Sequence, residues 1–361
     1  MAVKPSVSVV LPVHNGERFL GRALDSVRAQ TLEDFECVVV DDGSTDRTAE
    51  ILRQYGLQDQ RLRVHRQEHR GVVAALNAGC QLAEGTYLAR LDADDIASPQ
   101  RLRDQVRFLE RHPQVGVVGA GIVVVDEQDR PLFRVQYPAT DPEVRRALLS
   151  SSAFAHPVVM MRKDVFVATG GYRAPFLHAE DFDLWLRISE RCELANLRKS
   201  LLRHRFHRGS VSLNNLQQQV ISVVGAELSG RMRASGQPDR LAGVGRVTLD
   251  VLLATSPEPD RVLSRVLELS ASRGGFLVLV GAVDEALYLL QWARIATQGA
   301  RLDRRARAKA DMLDALAWYR HTSFRRSLAA AANALLTDPG LVFETVAHRS
   351  SSLLSSLAHS G

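Results

Sequence analysis

The first 126 residues alternate between short apolar runs and amphipathic segments, and this alternation constrains the fold more than any other feature of the chain. Five runs rich in β-branched residues have the length of strands, and segments with apolar residues at helical spacing separate them. The predicted strands are Ser6–Pro12, Glu36–Val40, Leu62–Arg66, Thr86–Leu91 and Val115–Asp126. Because such alternation requires right-handed crossovers, the sequence predicts an α/β fold with a mostly parallel sheet and helices on both faces.

Residues that favour helix ends predict the limits of two helices. Ser44 or Thr45 precedes the second helical segment as a potential N-cap, and Gly56 stands where that segment should stop. Ser98 precedes Pro99, and this pair suits the N-cap and the first position of the helix after the fourth strand.

Polar side chains follow three of the predicted strands at the points where the strands end. They are His14, Asn15 and Glu17 after the first strand, Asp41 and Asp42 after the second, and Asp92, Asp94 and Asp95 after the fourth. In sheets of this type, ligands bind beyond the carboxyl ends of the strands. The sequence therefore predicts a ligand site at this edge of the sheet.

The three clustered aspartates, Asp92, Asp94 and Asp95, do not match a calcium-binding loop. Ile96 occupies the place of an oxygen ligand, and Arg103 occupies that of the bidentate glutamate. A solvated turn that caps the next helix explains one of these carboxylates but not three. Mg²⁺ and Mn²⁺ usually take one or two protein carboxylates beside substrate phosphates. The cluster therefore predicts a divalent-cation site next to a diphosphate.

Glycine-rich phosphate-binding motifs are absent from the sequence, since neither a GxGxxG motif after a strand nor a GxxxxGK[ST] motif occurs. We therefore do not expect a dinucleotide or ATP held in the glycine-cradled way. Asp41 and Asp42 can accept hydrogen bonds from a base imide or a ribose hydroxyl. Acids at this place also complement the dipole of the following helix, so one of the pair can have that role alone.

Composition narrows the class of protein further. The chain is 45% apolar and 24% charged, and its net charge of +5 gives no reason to expect nucleic acid as a partner. Three distant cysteines, Cys37, Cys80 and Cys192, indicate neither a disulfide framework nor a thiolate metal site. The most apolar later stretch is interrupted at Asp284, and no signal peptide is recognisable at the N-terminus. We therefore expect a cytoplasmic protein without a transmembrane segment.

Six segments of the chain carry a recognisable pattern. They are VVLPVHNGERFLGRALDSVRAQT, VVVDDGSTDRT, GVVAALNAG, LARLDADDIASPQRL, AEDFDLWLRI and RFHRGSVS. In this order and spacing they resemble the inverting glycosyltransferases of family 2, which have the GT-A fold. The resemblance covers residues 6–213. It implies a Rossmann-like, mostly parallel sheet flanked by helices.

The same resemblance implies a division of the chain into domains. Residues 1–213 would form the catalytic domain, with a nucleotide-sugar half at about 1–126 and an acceptor half at about 127–213. The resemblance does not extend to residues 214–361, whose pattern is mainly helical and whose role the sequence leaves open.

On the donor side, the resemblance assigns the nucleotide base to Glu17, to Asp42 and to the backbone near Pro12 and Val13. It places Arg70 near the sugar or the phosphates.

For the metal site, the resemblance implies that Asp92 contacts the ribose and that Asp94 binds Mn²⁺ or Mg²⁺. His207 would complete the metal shell or contact a phosphate, and Asp95 is the alternative to Asp94 as the main ligand. The family often has Tyr-Arg before this histidine, whereas this chain has His204 and Arg205.

On the acceptor side, Asp181 matches the catalytic base of the family. A carboxylate beside the acceptor hydroxyl can take its proton as the hydroxyl attacks the anomeric carbon. Glu180 and His156 are expected on the acceptor side, although an acid in the first turn of a helix is also favourable in itself. Trp185 either faces the acceptor sugar or belongs to the core.

These expectations together predict a metal-dependent, inverting transfer of a sugar from a nucleoside-diphosphate sugar, with UDP favoured, to a hydroxyl of a glycan or lipid-linked acceptor. Cell-surface polysaccharide or lipid-linked glycan assembly is the expected setting. A sugar nucleotidyltransferase is a second interpretation, but LPVHNGERFLGR lacks its glycine-rich, basic signature. A non-catalytic nucleotide-sugar-binding protein is a third, and the presence of Asp94, Asp181 and His207 argues against it.

The C-terminal region leaves three interpretations open. Its helices can pack on the catalytic domain, form a dimer, or make peripheral contact with the inner face of the cell membrane. Arg301–Ser327 is basic and amphipathic, which is compatible with binding to anionic lipid. A packed helix with a solvated face is the commoner form of such a pattern and is favoured here.

Overall fold

The computed structural model describes residues 4–149, 152–207, 209, 215–320 and 324–338. The chain divides into two compact units. Unit 1 comprises Met1–Ser210 and Ser229–Arg246, and unit 2 comprises Val211–Leu228 and Val247–Gly361. The boundary predicted between residues 213 and 214 lies outside the described residues, as do Arg208 and residues 210–212 of the RFHRGSVS segment and residues 321–323 of Arg301–Ser327.

Unit 1 is built on a mixed sheet that has nine strands in the described part of the chain. In chain order these are β1 (Val7–Val13), β2 (Phe35–Asp42), β3 (Leu62–Gln67), β4 (Tyr87–Arg90), β5 (Ile96–Ala97), β6 (Val115–Val125), β7 (Pro131–Val135), β8 (Met160–Arg162) and β9 (Glu193–Arg205). Their order across the sheet is β3-β2-β1-β4-β8-β6-β9-β5, and β7 pairs with β6. All five strands predicted from the first 126 residues are present.

The direction of the strands changes in the middle of the sheet. The first four strands are parallel to one another. β8 is antiparallel to β4 and to β6, and β9 is parallel to β6. β5 is antiparallel to the end of β9, which brings the residues after β4 next to the last residues of β9. The predicted mostly parallel sheet is therefore confirmed.

Burial differs between the centre and the edge of the sheet. Every residue of β1 and β2 is buried, because helices cover both faces of these strands. β3 is mostly exposed, because it pairs only with β2.

Seven helices of unit 1 precede or follow these strands in the described residues. They are α1 (Leu20–Arg28), α2 (Thr48–Gln58), α3 (Val72–Leu82), α4 (Arg101–Arg111), α5 (Asp141–Leu148), α6 (Lys163–Thr169) and α7 (Glu180–Ser189). Short 3₁₀ turns occupy His156–Val158 and Ala174–Phe176. The apolar segment HPVVMMR, residues 156–162, has the composition of a strand, but only its last three residues form β8, because its first three form the 3₁₀ turn.

The predicted limits of α2 are wrong. The Ser44 hydroxyl accepts a hydrogen bond from the Asn15 amide (2.9 Å), and the Thr45 amide donates to Asn15 Oδ1 (2.8 Å), so both residues join the two loops instead of capping the helix. The helix begins at Thr48 and continues through Gly56 to Gln58. A glycine with helical dihedral angles weakens a helix by about 1 kcal/mol but does not end it.

The predicted start of α4 is wrong by two residues. The Ser98 amide donates to the Leu201 carbonyl of β9 (2.9 Å), and the Pro99 carbonyl accepts from the Thr31 amide (2.8 Å). These tertiary hydrogen bonds hold the two residues outside the helix, in the turn that follows β5, and the helix begins at Arg101.

The helical pattern predicted for residues 214–361 is confirmed for the described residues. The helices are α8 (Leu216–Ala234), α9 (Leu249–Thr255), α10 (Pro259–Leu279), α11 (Val283–Ala296), α12 (Arg304–Arg320) and α13 (Phe324–Thr337). None of the described helices is long and apolar enough to span a bilayer.

Candidate active site

The three aspartates after β4 lie in a short acidic loop, residues 91–95. One carboxylate oxygen from each of Asp92, Asp94 and Asp95 lies within 4.8 Å of the other two. A group of carboxylates at this spacing can share one cation. The donor atoms are oxygens, which suits Mg²⁺ or Mn²⁺.

The end of β9 supplies the partners of this loop. His207 Nε2 lies 2.9 Å from Asp94 Oδ2. Burial raises the pKa of Asp94, but the hydrogen bond from His207 and the charge of nearby His204 outweigh burial and hold that pKa below its usual value. Asp94 is therefore a carboxylate at neutral pH, and it faces an imidazole that can complete a set of metal ligands.

Asp95 is engaged by the protein itself. It is fully buried, one carboxylate oxygen lies 3.0 Å from His204 Nδ1, and the other accepts the Arg205 amide at 2.8 Å. Burial opposes protonation of His204, but the charge of Asp95 raises the pKa of His204 to about 9. His204 and Asp95 thus form an ion pair at neutral pH, and Asp95 is less available to a cation than Asp94.

Sequence reasoning did not assign a role to Arg205, although it noted the residue. Its guanidinium is fully buried and donates from Nε to the Asp94 carbonyl (2.9 Å) and from Nη1 to the Asp126 carbonyl (3.1 Å). It also pairs with Asp129 (2.6 Å) and lies over the ring of Phe19. Arg205 fixes the backbone of the acidic loop.

The carboxylate of Asp42, at the end of β2, has four nitrogen atoms within hydrogen-bond distance. Its carboxylate accepts from the backbone amides of Arg70 (2.9 Å) and Gly71 (2.8 Å) and from Gln67 Nε2 (2.6 Å), and His69 Nδ1 lies 2.9 Å away. Burial raises the pKa of Asp42, but these hydrogen bonds outweigh burial and hold that pKa below its usual value. Asp42 therefore stays ionised.

Two histidines lie next to Asp42, and the sequence did not predict that they contact each other. The rings of His14 and His69 stack with centroids 4.0 Å apart, and His14 Nδ1 lies 2.8 Å from the Asp42 carbonyl. Gly43 makes this approach possible, because it has φ of +72° and a Cβ there would lie 2.7 Å from the His69 amide nitrogen. The two rings are 55 positions apart in sequence, so only the fold reveals the contact.

The other donor-side residues lie at the ends of β1 and β3. Pro12 and Val13 are buried in β1 beside the end of β2. Glu17 is exposed, and its carboxylate accepts the Arg47 amide (3.1 Å) just before α2. Arg70 is exposed next to the N-terminus of α3.

The acceptor-side residues form a second group, which we call the acceptor-side cluster: His156, Tyr172, Glu180, Asp181 and Trp185. His156 Nε2 lies 2.9 Å from the Tyr172 hydroxyl, and the His156 and Trp185 rings are 6.0 Å apart. Trp185 has no exposed surface. Burial lowers the pKa of His156 well below its usual value, so this imidazole is neutral.

The two adjacent acids of this cluster differ in their surroundings. Glu180 is buried, and its Oε2 has no hydrogen-bond partner among the described residues. Burial, with the charge of Asp181 in addition, raises the pKa of Glu180 to about 7. Asp181 is only partly buried, and its Oδ1 accepts the Phe182 amide (2.7 Å) in the first turn of α7.

Comparison with known proteins defines the class. A family model described as glycosyl transferase family 2 matches residues 8–169. The chain is 31% identical over 214 residues to the O-antigen biosynthesis glycosyltransferase WbnJ of Escherichia coli, which is 58% of this chain and 83% of that protein. It is 31% identical over 184 residues to the amylovoran biosynthesis glycosyltransferase AmsE of Erwinia amylovora, which is 50% of this chain and 68% of that protein.

The chain therefore belongs to glycosyltransferase family 2, and it is a glycosyltransferase. This confirms the resemblance seen in the motifs and decides against the sugar nucleotidyltransferase.

Solved structures show the same fold. The 1–349 fragment of TarS from S. aureus matches with a TM-score of 0.54 and 17% identity over 92% of both chains, and another TarS structure is a complex with UDP-GlcNAc. The mannosyltransferase PcManGT of Pyrobaculum calidifontis, solved with GDP-Man and Mn²⁺, matches with a TM-score of 0.50 and 18% identity over 92% of this chain and 88% of that one. The predicted GT-A fold with a helical C-terminal region is thus confirmed.

Proposed function

We propose that this glycosyltransferase moves a sugar from a nucleoside-diphosphate sugar, with UDP favoured, to a hydroxyl of a growing cell-surface polysaccharide or lipid-linked glycan, with inversion at the anomeric carbon. The observation that carries the proposal is the pairing of Asp94 with His207 beside Asp92 at the carboxyl end of β4. The polysaccharide names of WbnJ and AmsE support the setting.

In the proposed complex the donor lies across the ends of β1, β2 and β4. The buried carboxylate of Asp42 and the backbone of Pro12 and Val13 hold the base, while Glu17 borders the base site. Arg70 supplies positive charge to the sugar or the phosphates.

Asp94 and His207 would hold Mn²⁺ or Mg²⁺, while Asp92 faces the ribose. Asp95 remains with His204 and the Arg205 amide, so its part is to fix the loop. A bound divalent ion supplies positive charge that stabilises the departing diphosphate.

Asp181 is the proposed general base. As the acceptor oxygen forms its bond to the anomeric carbon, the bond from that carbon to the diphosphate oxygen breaks, and the hydroxyl proton passes to Asp181. A partly exposed acid in the first turn of α7 is suited to this role, because an acceptor hydroxyl can reach its carboxylate. Glu180 and His156 border the acceptor, and buried Trp185 supports His156 from behind.

The test is release of nucleoside diphosphate from a panel of UDP-, dTDP- and GDP-sugars, with and without Mn²⁺. We expect slow hydrolysis of one donor that requires the metal and is lost in Asp94→Ala. Asp104→Ala is the matched control, because this acid of α4 pairs with Lys199 outside the loop. A donor that turns over equally well without metal, or in Asp94→Ala, would contradict the proposal.

A further inference from the structure

Arg90 is a charged residue in the centre of the sheet. It is the last residue of β4, between β1 and β8, and its side chain is only 7% exposed. Its amide donates to the Val159 carbonyl (3.0 Å), and its carbonyl accepts from Arg101 Nη2 (2.5 Å). The backbone is thus fully bonded, and the guanidinium is held in the interior close to the acidic loop.

This arrangement is unfavourable for folding. Arg101 is also fully buried, and burial together with the charge of Arg90 lowers the pKa of Arg101 to about 9. Two buried like charges oppose folding, and a buried donor without an acceptor adds to that cost. Arg90 Nε is such a donor, since it has no hydrogen-bond partner among the described residues.

Arg90 acts on both sides of the site. It forms an ion pair with Asp92 in the acidic loop. In the acceptor-side cluster its charge opposes the effect of burial on the pKa of Glu180, and it adds to burial in lowering the pKa of His156. Arg90 is therefore a cation that lies within electrostatic reach of both groups.

We propose that Arg90 is a donor-binding residue that joins the two groups: it keeps Asp92 oriented and donates its unpaired Nε–H to an oxygen of the nucleotide sugar. This rests on the proposed function. The oxygen belongs either to the diphosphate or to a hydroxyl of the transferred sugar, and both can accept the hydrogen bond for which Arg90 Nε has no partner among the described residues. The unfavourable position of the charge is then compensated when the donor binds.

Arg162 is the matched control. It lies on the neighbouring strand β8, opposite Tyr87 at the start of β4. Its guanidinium donates to the carbonyls of Val115 (2.9 Å) and Leu109 (2.7 Å), so its role is structural.

The experiment compares Arg90→Met, Arg90→Lys and Arg162→Met with wild type by thermal unfolding and by calorimetric titration with UMP, UDP and UDP-GlcNAc in the presence of Mn²⁺. We expect Arg90→Met to unfold at the same temperature as wild type or a higher one, because the repulsion with Arg101 is gone. Its affinity for UDP-GlcNAc should fall roughly 10- to 100-fold, and Arg90→Lys should recover little of it. Arg162→Met should unfold at a lower temperature and keep its affinity.

The ligands identify the oxygen. A loss for UDP and UDP-GlcNAc alike places it on the diphosphate, and a loss confined to UDP-GlcNAc places it on the sugar. Wild-type affinity in Arg90→Met, full recovery in Arg90→Lys, or a drop in unfolding temperature as large as that of Arg162→Met would overturn the inference. If wild type itself binds none of these nucleotides, nor dTDP or GDP, the proposed function fails first.

Discussion

The acidic loop and the first turn of α7 both present carboxylates to the candidate site, but the two sets of carboxylates differ in their hydrogen-bond and ionic partners. In the loop, Asp94 and Asp95 face His207 and His204, and Asp94 stays ionised. On α7, Glu180 is buried without a partner for Oε2, and its pKa rises to about 7. Burial raises the pKa of Asp95 as well, to about 6, but ionic partners face the loop acids, whereas Glu180 has no hydrogen-bond partner for Oε2 among the described residues. The comparison shows that a buried carboxyl keeps its charge at neutral pH where a cation faces it.

The largest effect is expected from Asp181→Asn, which removes the proposed proton acceptor and leaves the loop intact. The rate of transfer should fall roughly 100- to 10,000-fold, while the affinity for the donor changes little. Steady-state kinetics with the donor that the panel identifies would measure this.

Asp164→Asn is the control for that prediction. Asp164 Oδ1 accepts the Val165 amide (2.8 Å) in the first turn of α6, as Asp181 Oδ1 accepts the Phe182 amide in α7. Equal losses in the two variants would show that the helix start, and not the chemistry, is affected.

A smaller effect is expected from His207→Ala, which removes the imidazole that faces Asp94 in the acidic loop. Without the imidazole beside Asp94, affinity for Mn²⁺ should fall roughly 10- to 100-fold, as measured by calorimetric titration. His112→Ala is the control, because His112 Nδ1 lies 2.8 Å from the Phe108 carbonyl at the end of α4, and the ring stacks on that of Phe108. Unchanged Mn²⁺ affinity in His207→Ala would remove this residue from the proposed metal site.

The smallest effect is a pH dependence of stability at Glu180. The pKa of Glu180 in the folded chain, about 7, lies above the ordinary value of 4.5, so the folded state binds this proton more tightly than the unfolded state does. The carboxyl therefore lowers the free energy of unfolding as the pH rises from 4.5 through 7. Glu180→Gln should be more stable than wild type at pH 8 by about 1–3 kcal/mol, and by less at pH 5.

Denaturant unfolding at the two pH values tests this prediction. Asp183→Asn, on the same helix, should be less stable than wild type, because the buried Asp183 carboxylate is paired with Arg173 and Arg187. A difference between Glu180→Gln and wild type that is the same at pH 5 and pH 8 would mean that Glu180 does not titrate in this range.

Much of the fold and the site followed from local pattern. The five strands and the polar residues at their ends could be located because alternation of apolar runs and helical spacing is a local signal. The starts of α2 and α4 could not be located from the sequence, because Ser44 and Ser98 form tertiary hydrogen bonds that no local propensity reveals. The exposure of β3 was equally hidden, since the sequence of a strand does not state whether it lies at an edge.

The sequence by itself determined the family, the parallel half of the sheet and the acids at its edge, because each is written in a short segment whose residues act on one another directly. The tertiary structure decided which acids are paired with a cation and which have a raised pKa. Asp95 is occupied by His204, 109 positions away, and Glu180 has its pKa raised by burial. Charge pairing and desolvation depend on which distant segments meet, and that is settled only when the chain is folded.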